Sequence, residues 1–555
     1  MKKITHIIGV SILTFLLSGC HDWLDINLNP DASTVVTPEQ SLPVIVFYAS
    51  QINYDHAEYG MYLSQALTTG GKSQTGSYPY KQGWEFLTIN RHPQWRRHFY
   101  DIGVNVNELI KAAEKVESPN FTLIARTIRL MSTQLTTDAF GPMPRSKAYT
   151  GTSPLYDSQE EIYAWMIQEA NDLIAAYDDP AILYASTNKT ITKKMDRIFE
   201  GDLKKWKQFT IGLKARILLR KLPNWENSVA VCEDIINTVN QAMDGWTEPQ
   251  YKYDGGTSEA NCPWGKNQPV INSWESRKNL LDQAIVSEYL YVNMFGGNDR
   301  AISTLNGNSE DPRMACFLTA RVGPGAPDAA VKYRCLKNNI GMGVSYKETN
   351  YPDLFTCTYT QNTGYIPLML TEELLFIKAE ALYWKNQIAE SYQVTTEAVK
   401  MSMERHRLTN SVSASVFNKI YNKFFTDDKI NGKYLPESTF NIGHLMRQKY
   451  VAMLFQPELW TDMRRYCYSN NTNQIKFDGE IIYPGLRRPY NLYTPYWIDN
   501  NPSSEEWVYR LNPDPETEDK YNVQELKRLG AYKNPEWLKW PLIWAEYKGD
   551  PSRKN

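Results

Sequence analysis

The chain has 555 residues, of which 42% are hydrophobic and 22% charged, and a formal net charge of −2. That balance belongs to a globular body with a sizeable core and excludes a disordered chain, while length alone would suggest two to four domains. A near-neutral charge provides no basic field for phosphate neutralisation, so nucleic acid is excluded as a partner.

The first residues are Lys2 and Lys3, an apolar run from Ile7 to Leu17, and then Leu17-Ser18-Gly19-Cys20. A basic start, a short apolar run and small residues at a cleavage point make a secretory signal peptide over 1–19, and the run is too short to be a permanent membrane helix. The tetrad ending at Cys20 resembles a bacterial lipobox. Cys20 would then be the first mature residue and would carry acyl chains, palmitate among them, several of which are needed for stable anchoring. No later segment offers about eighteen consecutive apolar residues, so the remainder reads as a water-soluble body on a lipid tether, 20–39, outside the cytoplasm. Within the tether Asp25, Asn27, Asn29 and Asp31 imitate an EF-hand opening, but Pro30 stands where the glycine turn belongs and Val36 where the closing Glu belongs. No metal and no cofactor are expected.

Ala66-Leu-Thr-Thr-Gly-Gly-Lys-Ser73 fits a loose phosphate-binding loop. A working loop lies between a strand and a helix. Here Tyr59, Tyr62, Leu63 and Ala66 have helical spacing upstream, and the glycines and proline of 73–83 read as loop downstream. Gly70 and Gly71 are therefore expected to end a helix, and a Gly/Ser/Tyr loop runs from Gly70 to Trp84.

Helical periodicity then recurs over 102–115, 123–135, 158–174, 203–219, 228–241, 370–384, 392–403 and 442–455. Ser158 with Glu161 spells a capping box. The pattern predicts a mainly α fold, helices paired through short turns as in a degenerate helical-repeat solenoid, in which Trp95, Trp165, Trp206, Trp384 and Trp460 belong to the core. Two irregular insertions, about 244–279 and 298–367, and a C-terminal segment from about 481 are rich in Gly, Pro and aromatics; loops that long are expected to cover one face of the helices as a ligand-binding face. Beyond Cys20 there are six cysteines and no C-x-x-C pair. Export permits disulfides, with Cys316, Cys335 and Cys357 as candidates, and six buried free thiols satisfy the sequence equally.

Several stretches, in order from Cys20 to about residue 490, resemble one family, the SusD/RagB lipoproteins of Bacteroidetes. They are Asp22-Trp-Leu-Asp-Ile-Asn-Leu-Asn-Pro-Asp31, Phe140-Gly-Pro-Met-Pro144, Tyr156-Asp-Ser-Gln-Glu-Glu-Ile-Tyr163, Gly201 to Arg216, Asp311-Pro-Arg313, Leu370 to Ala381, Gln448 to Ala452 and Glu458 to Arg465. Pro142 departs from the family's usual Asp, and the tail after Pro489 matches weakly. The resemblance implies one domain over 40–555, built on a degenerate tetratricopeptide-like helical-repeat scaffold. It also implies an outer-membrane location, facing the cell exterior, and a SusC-like TonB-dependent transporter as partner, over which the lipoprotein acts as a lid.

Sugars present flat CH faces that stack on Trp and Tyr, so the aromatic surplus of 16 Trp and 36 Tyr points to glycan capture. The candidate ligand-binding residues are Tyr78, Tyr80 and Trp84 in the first loop and Tyr251, Tyr253, Trp264 and Trp274 in the first insertion. Oligopeptide capture, which some family members perform, is the alternative; it would lean on backbone hydrogen bonds and charge pairing instead. Catalysis is not expected. The sequence contains no H-E-x-x-H and no G-x-S-x-G, and neighbouring carboxylates such as Glu160-Glu161 and Glu372-Glu373 point apart on a helix.

Overall fold

The computed structural model describes residues 36–69, 83–86, 92–257, 260–265, 284–297, 301–302, 310–316, 333–335, 354–407, 414–490, 492 and 506–551. The first helix, α1, spans Pro38–Leu63, starting on a proline whose missing N–H has no role in the first turn. From Gln51 to Leu63 it is buried on every side, so it forms the axis of the molecule. Helix α2 runs without a break over 93–115, as Pro93–Arg96, a π-helical stretch Arg97–Val104, and Asn105–Lys115. The expected helix at 102–115 is its second half.

Next come α3 (Pro119–Phe140), α4 (Gln159–Ala176), α5 (Leu203–Leu219) and α6 (Val229–Met243). Local chemistry sets their starts. Glu161 N donates to Ser158 Oγ at 3.3 Å while Ser158 N donates to Glu161 Oε2 at 2.8 Å, which is the capping box read from the sequence. Asp202 accepts from Lys204 N at 3.0 Å and from Lys205 N at 3.2 Å ahead of α5. After the irregular region follow α7 (Thr371–Trp384), α8 (Ile388–Arg405), α9 (Ala414–Thr426), α10 (Asp428–Tyr434), α11 (Ile442–Ala452) and α12 (Glu458–Arg465).

From α2 to α8 each helix packs on the one before it, as in a stack of helical hairpins, and this is the tetratricopeptide-like arrangement expected. Helix α11 closes on α7 and α8, and α12 packs against α1. Trp95, Trp206, Trp384 and Trp460 are buried as expected, whereas Trp165 is half-buried beneath the Arg145 guanidinium, 5.0 Å from its ring.

The core includes a set of ion pairs as well as apolar side chains. Arg216 donates to Glu373 at 2.6 and 2.9 Å, Arg220 joins Asp138 and Glu458 at 2.7 Å each, and Arg465 and Lys449 share Glu380 and Asp462, all of them buried. Buried cations and anions persist only where each has partners, and these clamp α3, α5, α7, α11 and α12 in one arrangement.

Strands are few and short. Among the described residues β1 (Leu67–Thr69) pairs antiparallel with β3 (Ala284–Val286), β2 (Gln250–Lys252) with β6 (Tyr365–Pro367), and β4 (Ala301–Ile302) with β5 (Tyr333–Arg334). The β2–β6 pair stitches together the two insertions expected at 244–279 and 298–367. One boundary differs from the sequence reading. The helix that Gly70 and Gly71 were expected to end stops at Leu63, because Gln65 takes a left-handed φ of 62° and the next residues pair as β1. Gly70 and Gly71 lie outside the described residues.

Cys232, Cys262, Cys357 and Cys467 are buried free thiols, so the thiol alternative holds for these positions. Among the described residues no helix is long and apolar enough to cross a membrane, and no His/Cys/Asp/Glu cluster could hold a metal ion. The signal peptide, Cys20 and the calcium-like stretch 25–31 lie outside the described residues.

Candidate functional site

The β1–β3 ladder fixes where two of the sequence-predicted segments begin and end. Thr69 faces Ala284 in the register, so residues 70–82 leave and residues 266–283 return at the same end of one ladder. Tyr78, Tyr80 and Trp274 lie outside the described residues. Just past the ladder, Ser287 locks the turn to α1: its N donates to Ala66 O at 3.1 Å and its Oγ donates to Gln65 O.

Beside this joint lies a groove of about 290 Å³, with Gln65, Glu288, Tyr289 and Asn293 on one side and Arg487, Arg488 and Tyr490 on the other. Gln65 Oε1 and the Tyr289 hydroxyl are buried with no hydrogen-bond partner among the described residues. A buried polar atom left unpaired costs about 1–3 kcal/mol, and the left-handed backbone of Gln65 adds about 1 kcal/mol or more. Gln65 is held there by its own amide, which donates to Tyr62 O at 3.2 Å. The ring of Tyr289 is fixed edge-on against Tyr450 at 5.7 Å, and burial pushes its phenol well above the usual range, so it stays protonated. Above these two buried groups, Glu288, Asn293, Arg487 and the half-exposed Tyr490 open onto one depression. That inventory suits a polyhydroxylated ligand, which both donates and accepts.

The floor explains one of the sequence candidates. Arg488 is fully buried, donates to Glu506 O at 3.2 Å, and lies 6.0 Å from the ring of Trp84, which packs on Trp507 at 5.7 Å. Trp84 is 0% exposed and belongs to the core beneath the groove.

The other candidates lie elsewhere and serve α1. Tyr253 Oη accepts from Gln51 Nε2 at 2.8 Å and shares a 2.8 Å hydrogen bond with Ser50. Tyr251 packs on Tyr253 at 5.0 Å and Phe47 at 6.1 Å, with the Arg197 guanidinium 5.4 Å from its ring. Trp264 wedges between Tyr54 at 4.6 Å and Phe455 at 4.9 Å. All four described candidates are buried, so none presents an open face on which a sugar could stack, and we withdraw them as ligand contacts. The reason is physical: a tyrosine or tryptophan that docks a loop on a helix uses the same ring area and the same polar tip that a sugar would need.

Sequence reasoning missed Gln65, Tyr289 and Arg487. The Arg487-Arg488 pair was visible, but nothing local marks the positive φ of Gln65 or the unpaired hydroxyl of Tyr289.

Comparison with known proteins bears on what such a groove serves. The profile of the SusD-like family described as "Starch-binding associating with outer membrane" matches residues 31–484. A SusD/RagB family protein from Bacteroides thetaiotaomicron has a TM-score of 0.63 at 18% identity, over 93% of this chain and 99% of that one. A SusD homologue from Bacteroides uniformis has a TM-score of 0.60 at 17% identity, over 91% of this chain and 99% of that one. A structure described as a chitin-binding SusD homologue from Flavobacterium johnsoniae has a TM-score of 0.59 at 16% identity, over 92% and 97%. Curated protein sequences returned no match. The profile spans most of the chain, and the protein is therefore a member of the SusD-like family, whose members are binding proteins and not enzymes.

Proposed function

We propose that the protein is a nutrient-binding lipoprotein, anchored by acyl chains on Cys20 to the outer membrane and facing the cell exterior. It captures oligosaccharide or polysaccharide and delivers it to a SusC-like TonB-dependent transporter. The observation that carries this reading is the groove at the β1–β3 joint, where a strained glutamine and a buried phenol keep unpaired polar atoms, in a chain whose family description names starch binding at the outer membrane. Strain and unpaired polar atoms tend to collect at ligand sites, where binding supplies the missing partner. Tyr78, Tyr80 and Trp274, on the segments that depart from Thr69 and return to Ala284, are the aromatic residues we assign to the sugar faces.

The test is isothermal titration of the full chain with a panel of plant, host and microbial polysaccharides and with a mixed protein digest. Saturable heat with a glycan, weakened in Gln65→Ala and Tyr289→Phe, supports the reading. Heat with the digest alone would move the protein to oligopeptide capture.

A further inference from the structure

A second cleft, of about 700 Å³, opens where the start of α2, the loop 144–154 and the segment 514–518 meet. Its aromatic wall is open to solvent at two tyrosines. Tyr100 is 65% exposed and Tyr149 47% exposed, whereas Trp84, Tyr251, Tyr253 and Trp264 are buried. Phe99 and Trp95 continue the wall inward, 4.6 Å apart.

The wall is held in place. Arg145 N and Ser146 N each donate to Asp157 Oδ2 at 2.8 Å, pinning the base of the loop. Tyr149 sits at a left-handed φ of 65° and donates its hydroxyl to Phe99 O at 2.9 Å. Its phenol occupies the space above Gly103, where a Cβ would fall 1.7 Å from Tyr149 Oη. The glycine is what lets the tyrosine seat on α2.

The opposite side consists of hydrogen-bond acceptors. Asp514, Glu516 and Glu518 line it, and burial pushes Asp514 up to about 6 and Glu518 above its ordinary range. His92, fully buried in the same lining, has its Nε2 2.9 Å from Asn512 Oδ1. Asn512 Nδ2 donates to Pro513 O at 3.1 Å, so its Oδ1 is the acceptor and His92 Nε2 carries the proton. Burial lowers His92 to about 4, leaving a neutral ring whose Nδ1 is an acceptor with no partner among the described residues. Three carboxylates stand against Arg96, itself 3.8 Å from Asp101. A ligand that fits must offer a flat apolar face to the tyrosines and hydrogen-bond donors, or a positive charge, to the other side.

We propose that this cleft is a second glycan-binding site, separate from the groove, that takes pyranosides donating hydrogen bonds, amine-bearing ones foremost, and rejects anionic glycans. For its ligand class alone it rests on the glycan reading given above. The site would let one molecule hold a chain at two places, or retain a polymer whose end occupies the groove.

The experiment is titration of the full chain with a glucosamine hexamer and a galacturonate hexamer, in four forms: unaltered, Tyr289→Phe in the groove, and Tyr100→Ser and Gly103→Ala in the cleft. The expected result is saturable binding of the glucosamine hexamer that survives Tyr289→Phe and weakens about tenfold in Tyr100→Ser, as loss of one stacking face would give. No heat is expected from the galacturonate hexamer. Tyr100 is largely exposed, so its variant should melt with the parent, and Gly103→Ala displaces the second tyrosine through a different atom. Equal affinity in both cleft variants overturns the proposal, as does galacturonate binding as tight as glucosamine. Absence of glucosamine binding to the unaltered chain also overturns it, while the groove is judged separately by the polysaccharide panel.

Discussion

Replacing Glu380 with alanine should be among the most damaging single changes in the protein. Its carboxylate is fully buried and accepts from Arg465 at 2.8 and 2.7 Å and from the Tyr466 hydroxyl at 2.8 Å, with Lys449 Nζ 3.5 Å away. Removing it leaves Arg465 and Lys449, two buried cations, sharing Asp462 alone, which lies 2.8 Å from the first and 2.9 Å from the second. Burial works against a charged Asp462, but Lys449 and Arg465 hold its carboxyl below the usual range, so it cannot neutralise both. Breaking such a pair from one side costs about 3–5 kcal/mol. Unfolding entropy near 2.1 cal/mol/K per residue, over roughly 500 folded residues, gives about 1 kcal/mol per degree, so the melting temperature should fall by roughly 3–5 °C. Calorimetry of Glu380→Ala, Arg465→Leu and the double variant completes the assay. The double variant should lose clearly less than the two singles combined, because Lys449 and Asp462 then form a balanced pair. A fall of under about 1 °C in Glu380→Ala, or strict additivity, would refute the reasoning.

Other expectations follow from burial. Trp84→Ala removes a fully buried indole from the floor beneath the groove and should destabilise the protein by about 3–5 kcal/mol, read as an earlier midpoint in denaturant. Burial lowers His56 and His98 to about 3 and His92 to about 4, so these rings stay neutral in the fold while the unfolded chain protonates near pH 6.5. Stability is therefore complete above about pH 6.5 and should decline as the pH falls toward about 3, each ring withdrawing about 1.4 kcal/mol per pH unit; a flat profile from pH 7 to 4 would contradict this. Burial pushes the thiols of Cys232, Cys262 and Cys467 up to about 12, so a thiol reagent at neutral pH should label them only after denaturant is added.

What could be read from the sequence was local. Asp202 ahead of Leu203, and Ser158 with Glu161, carry their own helix starts, and both helices begin where those residues place them. Helix α1 was seen only at its end, because Pro38 and Pro43 interrupt the apolar pattern in a helix buried nearly all round. Strand β1 was missed since its partner lies far along the chain, Leu67 facing Val286. The aromatic surplus was real but its direction was not legible. Whether Trp264 turns toward Tyr54 or toward solvent depends on how the first insertion docks on α1, and no neighbouring residue states that. The same holds for Tyr100 and Tyr149, whose exposure depends on Gly103 and on a loop tied to Asp157. Gln65 became a site candidate only once its backbone angle and its unpaired carbonyl were seen together.

The central claim is that the chain captures glycan at the groove beside the β1–β3 joint. The measurement that bears on it most directly is calorimetric titration of the full chain and of Tyr289→Phe with the polysaccharide panel. The account predicts saturable heat with a glycan for the parent and weaker binding for the variant, whose fold is kept by an isosteric ring. Equal affinity in parent and variant, or heat from the protein digest and none from any glycan, would contradict it.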